Sequence, residues 1–495
     1  MYFLGIDLGS SSVKLSIFDA HAGKSIAAVG EPKSEMAMEA AKPGLAEQDP
    51  NQWWENVKIA LQRLHTEFDI DLSKIKSIGI AYQMHGLVLT DNALKPVRPS
   101  IIWCDSRAAE IGENAFHEIG EEKCQEMILG SPANFTASKL KWVKENEPKI
   151  YQKAAYMMLP GDYIAACFSE KAQISKGGLS EGMLWHFKEN RLATEILDYY
   201  EISVDLIPEV VSNFGDHATI SSKIAKELGL SEDVKITYRA GDQPNNAMSL
   251  NVLSPGEIAT TAGTSAVIYS VSENHAFDKD NRINTFLHVN NQEQENRNGV
   301  MVCINGSGIL YQWLRNILST GNEQLLDYDY LNELAAKSKP GSEGLIFHPF
   351  GNGVERIFQN KEVSSGISNL NFNIHKTPHL VRAACEGIVF AMNYGFEIMQ
   401  EVGASGKTVR AGKDNLFLSE VFREIFVNTT NTTLQLYKTN GADGAARGAA
   451  FGYGHYETLE EAFNSLECLQ TIEPKPELVE EYKTIYNNWK KAIKF

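Results

Sequence analysis

The chain has 495 residues, 43% of them hydrophobic and 22% charged, with a formal net charge of −17. That length exceeds one compact core, so two or three domains are expected, with the composition of an ordinary globular protein. So acidic a surface repels nucleic acid and anionic membranes and excludes both as general partners, while leaving room for a local pocket that binds phosphate.

The first predicted element is an apolar strand ending in Asp7, followed by the turn Gly9-Ser10-Ser11-Ser12 and a second strand. A plain hairpin more often uses a two-residue Asn-Gly type turn with no carboxylate beside it. Small residues, backbone N–H groups, hydroxyls and one anion suit a phosphate with its metal ion, and a solvated hairpin is the alternative. Helical periodicity then covers residues 52–68, and IKSIGIAYQ (75–83) reads as a buried strand. It runs into Gln83-Met84-His85-Gly86, where Gln83 and His85 offer hydrogen bonds suited to a polyol. RPSIIWCDSRA (98–108) places Trp103, Asp105 and Arg107 beyond another strand. Trp103 suits the apolar face of a sugar, while Asp105 and Arg107 either bond its hydroxyls or pair with each other.

VKITYRA (234–240) predicts a strand that delivers Asp242 just past its end, followed by Gln243 and Pro244. A carboxylate at a strand's carboxyl end can accept a proton from a substrate hydroxyl, or it can simply cap the next helix. The Pro-Gly turn in LNVLSPGEI (250–258) marks the expected domain boundary, giving halves 1–253 and 254–495. The second half opens as the first does: an apolar strand, Gly263-Thr264-Ser265, then another strand over 258–271. Two such turns heading two halves can hold a polyphosphate from both sides. INGSGILYQWL (304–314) puts Gly308 at a helix start, and helical periodicity covers 377–402. A strand and a turn around Gly412 follow. The small-residue stretch TNGADGAARGAAFGYG (439–454) predicts a tightly packed helix. No Walker A loop is present.

The six cysteines (Cys104, Cys124, Cys167, Cys303, Cys385 and Cys468) show no CxxC pair, which argues against a disulfide framework or a structural zinc site. With no basic leader and no uncharged run of ~18 residues, the expected location is cytoplasmic.

Taken in order, DLGSSS, QMHG, WCDSR, AGDQ, TAGTS, NGSG and GADGAARGAA resemble the FGGY carbohydrate kinases over residues 4 to about 455, most closely the xylulokinase subfamily. The resemblance implies an α/β protein of two actin-like ATPase (ribonuclease H-like) domains with a nucleotide/sugar cleft between them. It implies ATP and Mg²⁺ as cofactors, a small sugar as substrate, no nucleic acid or membrane partner, and a homodimer as a candidate assembly. Carried over, Asp7 would position Mg²⁺, Gly9, Ser10, Ser11 and Ser12 would form the first phosphate loop, and Gly263, Thr264 and Ser265 the second. Gly308, Gln312, Gly412 and Asn415 would lie near the nucleotide. Gln83, Met84, His85, Trp103, Asp105 and Gln243 would line the sugar pocket, and Asp242 would be the catalytic base. The implied reaction is ATP-dependent phosphorylation of D-xylulose at its 5-hydroxyl, the alternatives being ribulose, gluconate or glycerol as acceptor, or a sugar sensor without catalysis.

Three departures stand out. The family's glycine-rich adenosine turn reads Arg410-Ala411-Gly412-Lys413-Asp414, which predicts altered nucleotide affinity. The loop at 347–358 keeps only Glu355 and Arg356, and Gln243 stands where xylulokinases usually carry Asn.

Overall fold

The computed structural model describes residues 1–321 and 323–493. Two mixed sheets dominate it. In the first, strands β1 (Tyr2–Leu8), β2 (Val13–Asp19), β3 (Lys24–Glu31), β4 (Ile75–Tyr82), β5 (Phe214–Thr219) and β6 (Lys235–Gly241) lie in the order β5-β6-β4-β1-β2-β3. The second contains β7 (Ile258–Ala262), β8 (Ala266–Ser272), β9 (Asn284–Leu287), β10 (Asn298–Ile304), β11 (Thr408–Gly412), β12 (Thr433–Tyr437) and β13 (Cys468–Ile472), in the order β9-β10-β8-β7-β11-β12-β13.

The repeat read in the two Gly-hydroxyl turns extends to six strands of each sheet, with β9 added at one edge of the second. β1 and β2 pair antiparallel, as do β7 and β8. β1 then pairs parallel with β4, and β4 with β6, just as β7 pairs parallel with β11, and β11 with β12. Both sheets end on an antiparallel edge strand, β5 or β13. β1 and β4 are buried almost throughout because helices cover both of their faces, so they read as continuous apolar runs rather than alternating ones.

The helices that position the site are α1 (Pro50–Phe68), α2 (Thr136–Asn146), α3 (Lys176–Glu181), α4 (Asp242–Ser249), α5 (Gly308–Leu318), α6 (Thr377–Glu401), α7 (Glu420–Thr430) and α8 (Gly441–Gly452). α1 starts where expected: Asp49 caps it by accepting the Asn51 N–H, Pro50 opens its first turn, and Asp69 ends it in the left-handed region at φ 54°. α6 fills the centre of the second domain's core.

Dividing the chain at 253/254 separates the two sheets, but not every helix follows its sheet. α8, late in the sequence, packs on the first sheet. A Cβ on Gly5 of β1 would lie 1.9 Å from the Ala442 carbonyl oxygen, and one on Gly79 of β4 would lie 2.1 Å from that of Ala445. These glycines let helix backbone and sheet backbone meet directly, which explains the small-residue composition of 439–454. A further apolar cluster joins Met84 and Leu179 of the first half to Tyr269, Phe286 and Met301 of the second sheet, so the halves share a core below the cleft. No helix among the described residues is long and apolar enough to cross a membrane.

Candidate active site

Three neighbouring parallel strands of the first sheet end side by side. Register pairs Leu8 with Tyr82, and Tyr82 with Gly241, so the carboxyl ends of β1, β4 and β6 deliver Asp7, the Gln83–Gly86 loop and Asp242 to one edge. This is the edge at which open α/β sheets bind ligands.

Asp242 is the first residue of α4, and its helix has Gly241, not Asp242, at the cap position, with no side-chain cap hydrogen bond. Of the two sequence readings, capping is therefore not realised. Burial and the charge of Asp7 push its pKa up to about 7, opposed by hydrogen bonds from Gln243, whose side chain also reaches the carboxylate. Asp7 is raised by burial, with Lys14 opposing. Asp7 also lies against the start of α8: a Cβ on Gly441 would be 2.5 Å from its Oδ2 and 3.1 Å from Asn246 Oδ1. The small residue there lets the positive end of a helix dipole approach the anion closely.

The first turn closes with Gly9 N–H donating to the Ser12 carbonyl (3.0 Å), leaving Ser11 exposed and Ser10 and Ser12 half-buried. Gln48 supports it from beneath. Its Nε2 donates to the Ser10 carbonyl (2.7 Å) and its Oε1 accepts from Gln83 Nε2 and Trp53 Nε1, both at 3.1 Å. Gln83 is thus buried beneath the Gly9–Ser12 turn, with its Oε1 unpartnered among the described residues. Asp105 is fully buried, and its carboxylate accepts from Ala46 N–H (2.6 Å) and, bidentately, from Arg107 (2.7 and 2.9 Å). The reading in which Asp105 and Arg107 pair with each other is the one observed. Trp103 stands 52% exposed at the cleft rim, with its indole N–H 3.5 Å from Ser10 Oγ.

Met84 packs beside Gly241, and His85 against Glu181. A Cβ on Gly241 would lie 2.6 Å from Met84 Cγ and 2.4 Å from Glu181 Oε2, so only glycine fits there. His85 takes a left-handed backbone (φ 60°), and its ring is stacked edge-on by Phe135 at 4.8 Å. Its Nδ1 lies 3.0 Å from the Glu181 carbonyl, which can only accept, so Nδ1 carries the proton. Burial and Lys139 hold its pKa down to about 3, so the ring is neutral and Nε2 is an acceptor, suited to a hydroxyl donor.

The second turn is tied to α5. Gly308 N–H donates to the Gly263 carbonyl (2.8 Å) and Ile309 N–H to that of Thr264 (3.1 Å), while a Cβ on Gly308 would lie 2.3 Å from the Gly263 oxygen. Gly263, Thr264, Gly308, Gln312 and Asn415 all line one cavity of about 410 Å³, together with Tyr311 and Tyr328. Ser265 and Gly412 flank it: Ser265 continues the turn, and Gly412 lies against Asp414, whose Oδ1 accepts from Asn415 Nδ2 at 3.1 Å. Lys14 acts on both Asp7 and Asp414, so the two domains face each other across this cleft.

Arg410 points elsewhere. It forms an ion pair with Glu257 at 2.9 Å and donates to the Asn251 carbonyl, both in the segment that joins the domains. Neighbouring Val409 and Ala411 face the core instead. Glu355 accepts the Asn305 and Gly306 N–H groups (3.0 and 2.9 Å), holding the NGSG turn.

Three groups escaped sequence reasoning. Lys14 sits mid-strand, Lys139 inside an amphipathic helix, and Glu181 at the end of a six-residue helix, none in a motif. Glu181 is buried with Oε1 unpartnered among the described residues, and burial together with the charges of Asp242 and Asp162 raises its pKa well above its ordinary value.

The donor set fits a divalent cation. Among the described residues no cluster of three or more His, Cys, Asp or Glu gathers here. Asp7 offers a carboxylate at this edge, and one or two carboxylates are what Mg²⁺ commonly takes when phosphates and water complete its shell.

Comparison with known proteins matches residues 2–249 to the N-terminal domain of the FGGY family of carbohydrate kinases and residues 258–455 to its C-terminal domain. Xylulose kinase of Staphylococcus epidermidis is 28% identical over 98% of this chain and 95% of its own length, and that of Bacillus subtilis 28% over 99% and 96%. Among solved structures, a ligand-bound xylulose kinase from Lactobacillus acidophilus superposes with a TM-score of 0.88 (22% identity, 99% and 97% coverage). Plasmodium falciparum glycerol kinase with ADP gives 0.87 (19% identity, 99% and 97% coverage). The uncapped carboxylate at a strand end, the paired Gly-hydroxyl turns and these matches agree: the chain belongs to the FGGY family of carbohydrate kinases.

Proposed function

We propose that this kinase transfers the γ-phosphoryl group of ATP to the 5-hydroxyl of D-xylulose, giving D-xylulose 5-phosphate and ADP. The observation that carries the reading is the place of Asp242: uncapped, with Met84 and His85 on one side and Asp7 and the two turns on the other. Asp242 accepts the proton of the acceptor hydroxyl while that oxygen bonds to the γ-phosphorus and the bond to the β,γ-bridging oxygen breaks. Its raised pKa brings base strength near neutral pH, where the ionised form is still populated. His85 Nε2 accepts a hydrogen bond from a sugar hydroxyl, and Trp103 covers an apolar sugar face.

Asp7 would hold Mg²⁺, which supplies neutralisation of phosphate charge when bound. The backbone of Gly9–Ser12 and of Gly263–Ser265 would cradle the phosphates from both domains, and the 410 Å³ cavity has the lining for adenosine. Most of the rate enhancement in such a reaction comes from positioning and electrostatics, so Asp242→Ala should cost orders of magnitude in turnover while leaving sugar binding largely intact.

A second acceptor class has one observation in its favour. Arg356 acts on His85 from the second domain, and its Nε is buried without a partner among the described residues, a cation that a sugar acid such as gluconate would use. A coupled assay of ADP release with Mg-ATP separates the readings, comparing D-xylulose with D-ribulose, L-ribulose, D-fructose, gluconate, glycerol and no sugar. Strong stimulation by D-xylulose alone supports the proposal. Stimulation by gluconate alone moves the acceptor, and sugar binding without ADP release means a sensor.

A further inference from the structure

Lys139 is fully buried on α2, and among the described residues no carboxylate is in hydrogen-bonding contact with it. Its ammonium donates to the His85 carbonyl (2.9 Å) and to the Ile102 carbonyl (3.0 Å). Those acceptors belong to two different loops: Gln83–Gly86, which carries Met84 and His85, and the segment leading into Trp103. The first turn of α2 grips the same loop twice more. Phe135 stacks edge-on against the His85 ring, and Thr136 Oγ1 donates to the Gly86 carbonyl (3.3 Å).

An ammonium is an expensive group to place there. Taking it out of water is unfavourable, and an apolar residue of the same volume would serve packing as well or better. What an apolar residue cannot do is hold two carbonyls from separate loops at a fixed distance. One of those loops includes a non-glycine residue in the left-handed region, a conformation that persists only where its surroundings over-determine it.

We infer that Lys139 is a positioning residue of the sugar pocket, its ammonium tying the His85 loop to the Trp103 loop so that both walls keep the spacing a sugar needs. The inference rests on the sugar-kinase reading and adds to it a residue that touches no substrate. Burial lowers the Lys139 pKa to about 7, opposed by the nearby charge of Asp105, so the ammonium is the major form only below pH ~7 and the sugar KM is measured at pH 6.5.

The test is the sugar KM of Lys139→Met and Lys139→Gln against the unsubstituted enzyme, with the ATP KM and thermal midpoint measured alongside. Losing charged hydrogen bonds to both loops should raise the sugar KM by ~10-fold or more in K139M, with K139Q between the two because its amide can serve one carbonyl. The ATP KM should stay within about twofold, since the nucleotide cavity lies in the other domain. A merely structural lysine would lower the thermal midpoint and the active fraction and leave the sugar KM of the surviving molecules unchanged, and that result overturns the inference. Should K139M fail to fold, an unchanged sugar KM in K139Q overturns it equally. If the unsubstituted enzyme turns over no sugar at all, the functional proposal fails, and equilibrium sugar binding to the same variants still reads the pocket: weaker binding supports the inference and equal binding overturns it.

Discussion

Asp242 and Asp7 face each other in a cleft that disfavours charge on both, so this site should be bought at the expense of stability. Consider Asp242→Asn, studied without nucleotide or Mg²⁺. The Asp242 pKa rises from 3.8 in the unfolded chain to about 7 in the fold. The ionised carboxylate is thus the destabilising form: its penalty is fully present above pH ~7 and is relieved as the pH falls towards the unfolded value. At pH 8 the linkage amounts to at most about 4 kcal/mol, and screening by cleft water brings the expected gain of the Asn variant to ~1–2 kcal/mol. For domains of this size that is a rise of about 2–8 °C in the thermal midpoint. At pH 5 less than half of the gain should survive, and at pH 4 almost none. Thermal unfolding followed by circular dichroism at pH 8, 6.5 and 5 measures it. A midpoint shift that does not change with pH, or a loss at pH 8, would refute the reasoning and mean that the carboxylate makes a native interaction worth more than its burial. Asp7→Asn should act in the same direction, and the double variant should gain less than the sum because each charge raises the other's cost.

Further consequences are as direct. With Asp242 as base, kcat/KM for the sugar should fall about tenfold per pH unit below pH ~7, while His85, neutral with its pKa near 3, should add no second limb between pH 5 and 9; a pH–rate profile decides. Gly79→Ala would drive a Cβ to 2.1 Å from the Ala445 carbonyl oxygen, so helix and sheet must separate, at a cost of ~1–3 kcal/mol read from urea unfolding; an unchanged midpoint would mean that α8 is not seated on β4. Arg410→Ala should leave the ATP Kd within about twofold while loosening the interdomain segment that Arg410 holds through Glu257 and Asn251, and a collapse in ATP affinity by calorimetry would return Arg410 to the nucleotide site.

Much of the fold was legible because its signals are local. The helix at 50–68 announces itself through Asp49, Pro50 and a 3.6-residue period, and the two Gly-hydroxyl turns mark a duplication that six strands of each sheet carry through. The seat of α8 was not legible. Its small residues predict close packing but not a partner, and the partner is a strand more than 400 positions earlier whose glycine makes the contact possible. A boundary drawn along the chain follows connectivity, whereas packing follows complementary surfaces, and in this molecule the two diverge at that helix.

The site divides along the same line. The need for glycine at 308, where a Cβ would meet the Gly263 carbonyl oxygen at 2.3 Å, was readable because it is written into the residue type. The polar side chains were harder, since a single type serves opposite ends. Asp242 and Asp105 each follow a strand and precede a helical segment, and nothing in their immediate neighbours tells a free base from a buried partner. What separates them is a third residue in each case. Arg107 lies two positions on and folds back to saturate Asp105, while Gly241 takes the cap position and leaves Asp242 without that duty. The acceptors of Lys139 are backbone carbonyls at 85 and 102, groups that every residue possesses, so no sequence pattern could have named them. An ammonium buried among carbonyls becomes informative only when the loops it joins are seen to carry the site.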